Sequence, residues 1–299
     1  MSRADSDQAG WERLASNLRV ERALLDALQI CQGFEVAVFK GGLLTRRLYG
    51  DLRQRASADN DLLVRTADGA AVLDRLTSHG YRALPGLDAR RALIRTGQVA
   101  LWPGGNLDAP SLDLHTEAFS RNFFSVAEES VWSRLETVEL HGQRIKTFNA
   151  ALSLAHLVAH FYQHLLDVSL LPDIARAWER FGASLPRQEL LDVTRETCGM
   201  PALEYALGLC RHSVRAEMIP VPQTRRVRFL LQNYGPVWLS KRPRSAFRGF
   251  LSVCVCGPAQ LPRALWRGFF PEGDELVSNY GVGSRFSLVI RHWGHRFFD

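Results

Sequence analysis

Apolar residues Leu14, Leu18, Ala23, Leu24, Leu25 and Leu28 recur at mostly helical spacing between residues 11 and 32. The chain is therefore expected to open with a helix that Gly33 ends. Met1 to Gly10 is polar and acidic, holds no secretory apolar run, and is expected to fray. Glu35 to Phe39 is a short β-branched and aromatic run, read as a strand, and Gly41-Gly42 turns it into a helix over about Leu43 to Tyr49. Asp59-Asn60-Asp61 runs on into Leu62-Leu63-Val64 as a second strand, and Asp68 is placed to cap a helix through Ala71, Val72, Leu73 and Leu76 that stops at His79-Gly80. Ala92 to Ile94, Val99 to Trp102 and Leu112 to Leu114 read as strands of an antiparallel extension around the turn Pro103-Gly104-Gly105-Asn106. Val138 to Ile145 reads as a hairpin turning at His141-Gly142.

From Ala150 the period changes. Leu152, Leu154, Leu157, Val158, Phe161, Leu165 and Leu166 are apolar nearly all round, which predicts a buried helix. A second helix follows Pro172, with Asp173 as its cap, and further helices are expected over 187–197, 202–214 and 224–233. No internal repeat is present. The whole predicts an α+β chain of two domains: residues 1–148 with a mixed sheet flanked by helices, and residues 149–299 mainly helical.

Composition narrows the class without naming it. The 299 residues are 46% apolar and 23% charged, enough for one large or two medium domains. The net charge is +6, and Arg225, Arg226, Arg228, Lys241, Arg242, Arg244 and Arg248 gather in the second half. Such a surface suits a polyanionic partner such as RNA, DNA, nucleotide or an anionic membrane face; an ordinary solvated face is the plainer account. Five scattered cysteines, Cys31, Cys198, Cys210, Cys254 and Cys256, fit reduced thiols and a cytoplasmic setting. No apolar run reaches the roughly 18 residues that span a bilayer.

Candidate chemistry lies between residues 40 and 115. Asp59 and Asp61, one residue apart in a strand, point to one face, so they grip the same hard cation. Asp113, alternating with Leu112 and Leu114, offers a third acid on a second short strand, with Asp108 and Glu117 nearby as substitutes. A strand, glycine turn and helix in that order at Gly41-Gly42 is a phosphate-binding geometry. Lys40 and Arg55 are candidates to hold triphosphate oxygens, the first as a point charge and the second as a planar fork. His115 can orient a ligand or pack. His156, His160 and His164 repeat every four residues on one helical face; lining or packing accounts for them more simply than a metal does.

These residues resemble the nucleotidyltransferase superfamily, whose members carry a glycine turn, then Asp-x-Asp, then a later acid. More narrowly, Phe39-Lys40-Gly41-Gly42, Leu48-Tyr49-Gly50, Arg55, Asp59-Asn60-Asp61-Leu62-Leu63-Val64, Gly80-Tyr81 and Asp113-Leu114-His115 resemble an uncharacterised bacterial nucleotidyltransferase group, NTP_transf_5. Phe269-Phe270-Pro271 and Asn279-Tyr280-Gly281 are similar to its closing segment. The resemblance implies transfer of an NMP from an NTP to a hydroxyl of a small molecule, protein or RNA, with release of pyrophosphate. It implies Asp59, Asp61 and Asp113 as catalytic ligands of Mg²⁺, or Mn²⁺ in its place, and Lys40, Gly41, Gly42 and Arg55 as nucleotide-binding. A non-catalytic nucleotide-binding or regulatory protein, such as a toxin–antitoxin component, is the rival class. Asn60 departs from the apolar residue usual between the two acids. It faces the core side and there needs a hydrogen-bond partner.

Overall fold

A computed structural model of the chain describes residues 3–120, 124, 126–164, 166–213, 224–240, 251 and 255. The readings for Cys254, Cys256, Lys241 and the arginines beyond it, and the closing segment, lie outside the described residues.

The first unit comprises residues 1–118 and 132–148. Its elements are α1 (Arg3–Ile30), β1 (Val36–Val38), α2 (Gly41–Tyr49), β2 (Asp59–Val64), α3 (Gly69–Ser78), β3 (Tyr81–Arg82), α4 (Ala89–Thr96), β4 (Gln98–Pro103) and β5 (Ser111–His115); past α5 (Glu128–Trp132) follow β6 (Leu135–Leu140) and β7 (Gln143–Phe148). The seven strands form one mixed sheet in the order β3-β4-β5-β2-β1-β7-β6. β2 pairs parallel with β5 and antiparallel with β1, which in turn pairs parallel with β7.

Period-two alternation gives this sheet two unlike faces around β2 and β5. Val38, Leu62, Val64, Val99, Leu101, Leu112 and Leu114 pack with Leu24 and Ala27 of α1, Val72, Leu73 and Leu76 of α3 and Leu93 of α4 in one buried cluster. Asn60 falls on this side, and its Nδ2 donates to the Val20 carbonyl at 2.8 Å, so the predicted partner is backbone of α1.

Three local expectations need correction. Ala92 to Ile94 is helix, not strand: Asp88 caps α4 by accepting from the Arg91 amide, Gly97 ends it in the left-handed region, and Ile94 is left 65% exposed. Three apolar residues in a row had no period to separate the two states. Asp68 stands at the start of α3 but its side chain caps nothing, and Arg3 rather than Trp11 begins α1. The hairpin turn at His141-Gly142 is as expected, with both residues at positive φ, 50° and 77°, as a two-residue turn of that hand requires.

The second unit comprises residues 119–131 and 149–299. Its described elements are α6 (Ala150–Gln163), a 3₁₀ turn at Val168–Leu170, α7 (Leu171–Phe181), α8 (Arg187–Glu196), α9 (Met200–Ser213), α10 (Arg225–Asn233) and α11 (Pro236–Ser240). Asn149 caps α6 by accepting from the Leu152 amide, and α6 is buried on almost every side, as its composition predicts. Tyr162 donates to the Ala202 carbonyl and Tyr205 to that of Tyr234, tying α6 to α9 and α9 to the end of α10. Asp173 is not the cap of α7; it lies buried in the first turn, after Leu170.

Candidate metal and nucleotide site

Sheet register assembles the site. β2 and β5 run parallel with Asp61 opposite Asp113 and Leu63 opposite His115, so Asp59, Asp61, Asp113 and His115 share the face turned away from the apolar cluster. β4 places Ala100 opposite Asp113, which keeps that face uncrowded. A carboxylate oxygen of Asp61, one of Asp113 and a ring nitrogen of His115 lie within 4.8 Å of one another. Among the described residues, this is the group of three or more such side chains placed to share a metal ion.

Asp61 is the centre. Its side chain is 2% exposed; Oδ1 accepts from Lys40 Nζ and meets His115 Nε2, each at 3.1 Å. Its other oxygen, Oδ2, is buried without a hydrogen-bond partner. A buried carboxylate oxygen left unmatched is costly, and a hard cation is the partner its charge and shape suit. The carboxylates suit a hard divalent ion and the imidazole suits a transition metal, so the donor set fits a divalent cation without selecting one.

Electrostatics mark the same spot. Burial and then the Asp61 charge push the Asp113 carboxyl up to about 6. Burial and Asp61 also raise Asp59, against the pull of Lys40 and Arg55. Burial works to raise Asp61 too, but Lys40 and the His115 hydrogen bond overcome it and hold this carboxyl below the ordinary range. Asp59 thus belongs to the charge cluster, although its oxygens fall outside the tight group that includes His115.

The glycine turn is set by close approach. Gly41 has φ +66°, and a Cβ there would stand 2.6 Å from the Asp59 carbonyl oxygen; one on Gly42 would meet Glu21 Cγ at 2.9 Å. These contacts press the start of α2 onto β2 and α1. Lys40 occupies the N-cap position in extended conformation, but its side chain does not cap the helix; it turns to Asp61 instead. The first turn of α2 is therefore left without a side-chain cap.

Arg55 donates to Thr45 Oγ1 at 3.0 Å and Ser57 Oγ at 2.9 Å, and its charge acts on Asp59. Its loop is held by Asn17 of α1, whose Nδ2 donates to the Leu52 and Arg55 carbonyls while Oδ1 accepts from the Ser57 amide. Phe39 stacks on Phe148 at 4.8 Å and meets the edge of His115 at 5.1 Å, which fixes the imidazole.

Two features escaped sequence reasoning. His115 joins the ligand group, for which its parity with Asp113 was a usable signal. The Lys40–Asp61 pair had none, because partners 21 residues apart meet only once the sheet forms. Asp108 lies in the turn before β5, and Glu117 packs beside Gly97, so Asp113 is the acid of that stretch in the cluster. His156, His160 and His164 form a ring-to-ring ladder at 6.0 and 4.3 Å and do not converge as a triad of ligands.

The chain matches the family described as uncharacterised nucleotidyltransferase, NTP_transf_5, over residues 4–215, and it belongs to that family. Its mixed sheet with flanking helices is the architecture on which the site stands. A similar solved structure is an antigenic nucleotidyltransferase-like protein from Paracoccidioides brasiliensis, 17% identical, covering 70% of this chain and 93% of that one with a TM-score of 0.38. No curated protein matches the chain. Among the described residues no helix is long and apolar enough to cross a membrane, and Cys31, Cys198 and Cys210 are free thiols.

Proposed function

We propose that this protein is a metal-dependent nucleotidyltransferase that moves an NMP from an NTP to a hydroxyl group and releases pyrophosphate. The observation that carries the reading is the buried, unpartnered Oδ2 of Asp61 beside Asp113 and His115. Asp59, Asp61 and Asp113, with His115, hold Mg²⁺ or Mn²⁺. Neutralisation of phosphoryl charge and a lowered pKa of the attacking hydroxyl are what a divalent ion supplies in such a site. Asp113 takes the hydroxyl proton as the oxygen–phosphorus bond forms and the α–β phosphoanhydride bond breaks. The amides of Gly41 and Gly42, with Lys40 and Arg55, hold the departing pyrophosphate oxygens. Residues 1–148 supply this chemistry, residues 149–299 receive acceptor or nucleotide, and the setting is the cytoplasm.

The test is incubation with each α-³²P-labelled NTP, Mg²⁺ and cell extract, followed by fractionation into RNA, protein and small molecules. Label should enter one fraction, identifying the acceptor class, and Asp61→Asn should reduce transfer by at least roughly a thousandfold. Asp61→Asn transfer within about tenfold of wild type would remove the assignment. Metal-dependent nucleotide binding without transfer from any NTP would favour the non-catalytic class.

A further inference from the structure

Lysine is rare in this chain: of 37 basic residues, only Lys40, Lys146 and Lys241 are lysines. One of the three sits on the most buried acid of the site. Lys40 Nζ lies 3.1 Å from Asp61 Oδ1, with the lysine side chain 18% exposed and Asp61 2% exposed. Its backbone stands at the N-cap of α2, so the same residue reaches the acid cluster with its ammonium and the anion-favouring helix start with its main chain. A compact ammonium on a four-carbon stem moves between two such acceptors more readily than a guanidinium fork held in a plane. The ammonium and a divalent ion answer the same need, positive charge against the oxygens of Asp61, and each weakens the hold of the other.

We infer that Lys40 is an exchangeable internal cation: it holds Asp61 while the site is without metal, yields that carboxylate when a divalent ion binds, and passes its ammonium to the triphosphate. Metal and nucleotide then load together, since each removes a cost of admitting the other. Lysine in this role is a positioning and coupling residue, and it opposes metal binding in the absence of nucleotide. The inference rests on the metal site proposed above, and the experiment separates the two.

Mn²⁺ alone is titrated into the full-length protein, with free ion followed by electron paramagnetic resonance. Lys40→Met should bind Mn²⁺ at least about tenfold more tightly than wild type, as removal of a unit charge at contact distance dictates. Lys40→Arg, which keeps the charge, should stay within about threefold of wild type. Asp61→Asn should abolish binding in every background. If Lys40→Met binds no more tightly while Asp61→Asn still abolishes binding, the metal site stands and the exchange is refuted. If no Asp61-dependent binding is found at all, both fall. A second readout needs no variant: Mn²⁺ added to wild type should speed acylation of Lys40 by an amine-reactive ester, relative to Lys146 and Lys241, in peptides resolved by mass spectrometry. An unchanged or slower rate at Lys40 overturns the inference.

Discussion

Two buried carboxylates in the first unit have the same nominal neighbours, one cation and one histidine, and opposite characters. Glu21 of α1 is 2% exposed; both its oxygens accept from the Arg46 guanidinium, one at 2.8 Å, and His141 of the β6–β7 hairpin adds a contact at 3.0 Å. Every acceptor is matched and the fork geometry is bidentate. Asp61, equally buried, has both partners on one oxygen, none on the other, and two further acids close by. Glu21 is a closed ion pair that joins α1, α2 and a hairpin. Asp61 centres a site with an excess of negative charge, which is what a metal-binding enzyme needs and a scaffold avoids.

The largest effect expected from that contrast is a double dissociation. Asp61→Asn should abolish nucleotidyl transfer at a smaller stability cost than Glu21→Gln, because the weakened pairing with Lys40 and His115 is offset by relief of the repulsion that raises Asp59 and Asp113. Glu21→Gln should do the reverse. It should cost roughly 2–4 kcal/mol, below the ceiling for a fully buried pair because Arg46 reaches solvent, and leave activity per folded molecule within about twofold. Paired thermal melts and transfer assays check both. A stable, active Glu21→Gln would show that the pair is ornamental.

Titration sharpens the same comparison, with opposite signs. The Glu21 carboxyl is lowered: burial opposes, and the Arg46 and His141 hydrogen bonds and charges prevail. Its contribution is therefore present above the unfolded pKa near 4.5 and lost as pH falls through the lower folded value. Asp113 is raised to about 6, so the folded state binds the extra proton between about 4 and 6. Metal-free protein should gain stability from Asp113 as pH falls through that window, then lose stability from Glu21 below it. In melts from pH 7.5 to 3.5, Asp113→Asn should shrink the upper phase to what the raised Asp59 carboxyl supplies, and Glu21→Gln should blunt the lower one. An upper phase undiminished by Asp113→Asn would place the titration elsewhere.

What was legible in the sequence divides along the same line. The parity of Asp59, Asp61 and Asp113, the glycine turn and the need of Asn60 for a partner followed from strand alternation and from the cost of burying an amide, and these are local rules. The helix at Ala89–Thr96 was hidden because Ala92-Leu93-Ile94 shows no period, although Asp88 and Gly97 were readable as its caps. Glu21, Asn17 and the Lys40–Asp61 pair were hidden for a different reason. A polar residue on a helix or strand reads as solvated until the backbone it will meet, here the loop at 52–57 or the start of α2, has been brought against it.

The smallest effect tests whether the turn before α2 is held by chain conformation alone or by contact with the site. Gly41 and Gly50 flank the two ends of α2 with nearly equal φ, +66° and +73°, yet a Cβ on Gly41 meets the Asp59 carbonyl at 2.6 Å while one on Gly50 meets nothing within 4 Å. Gly50→Ala should cost more than about 1 kcal/mol, because φ 73° with ψ −34° lies outside the left-handed helical well that alanine enters at that penalty, with transfer unchanged. Gly41→Ala adds the backbone clash to the penalty of a positive φ, so it should cost more than Gly50→Ala and also displace Asp59 from the acid cluster. Denaturant melts give the stability difference, and Mn²⁺ titration gives the displacement. Equal costs and equal metal affinities would mean that α2 yields freely at its N-terminus, and the close approach of Gly41 to β2 would then carry no part of the site.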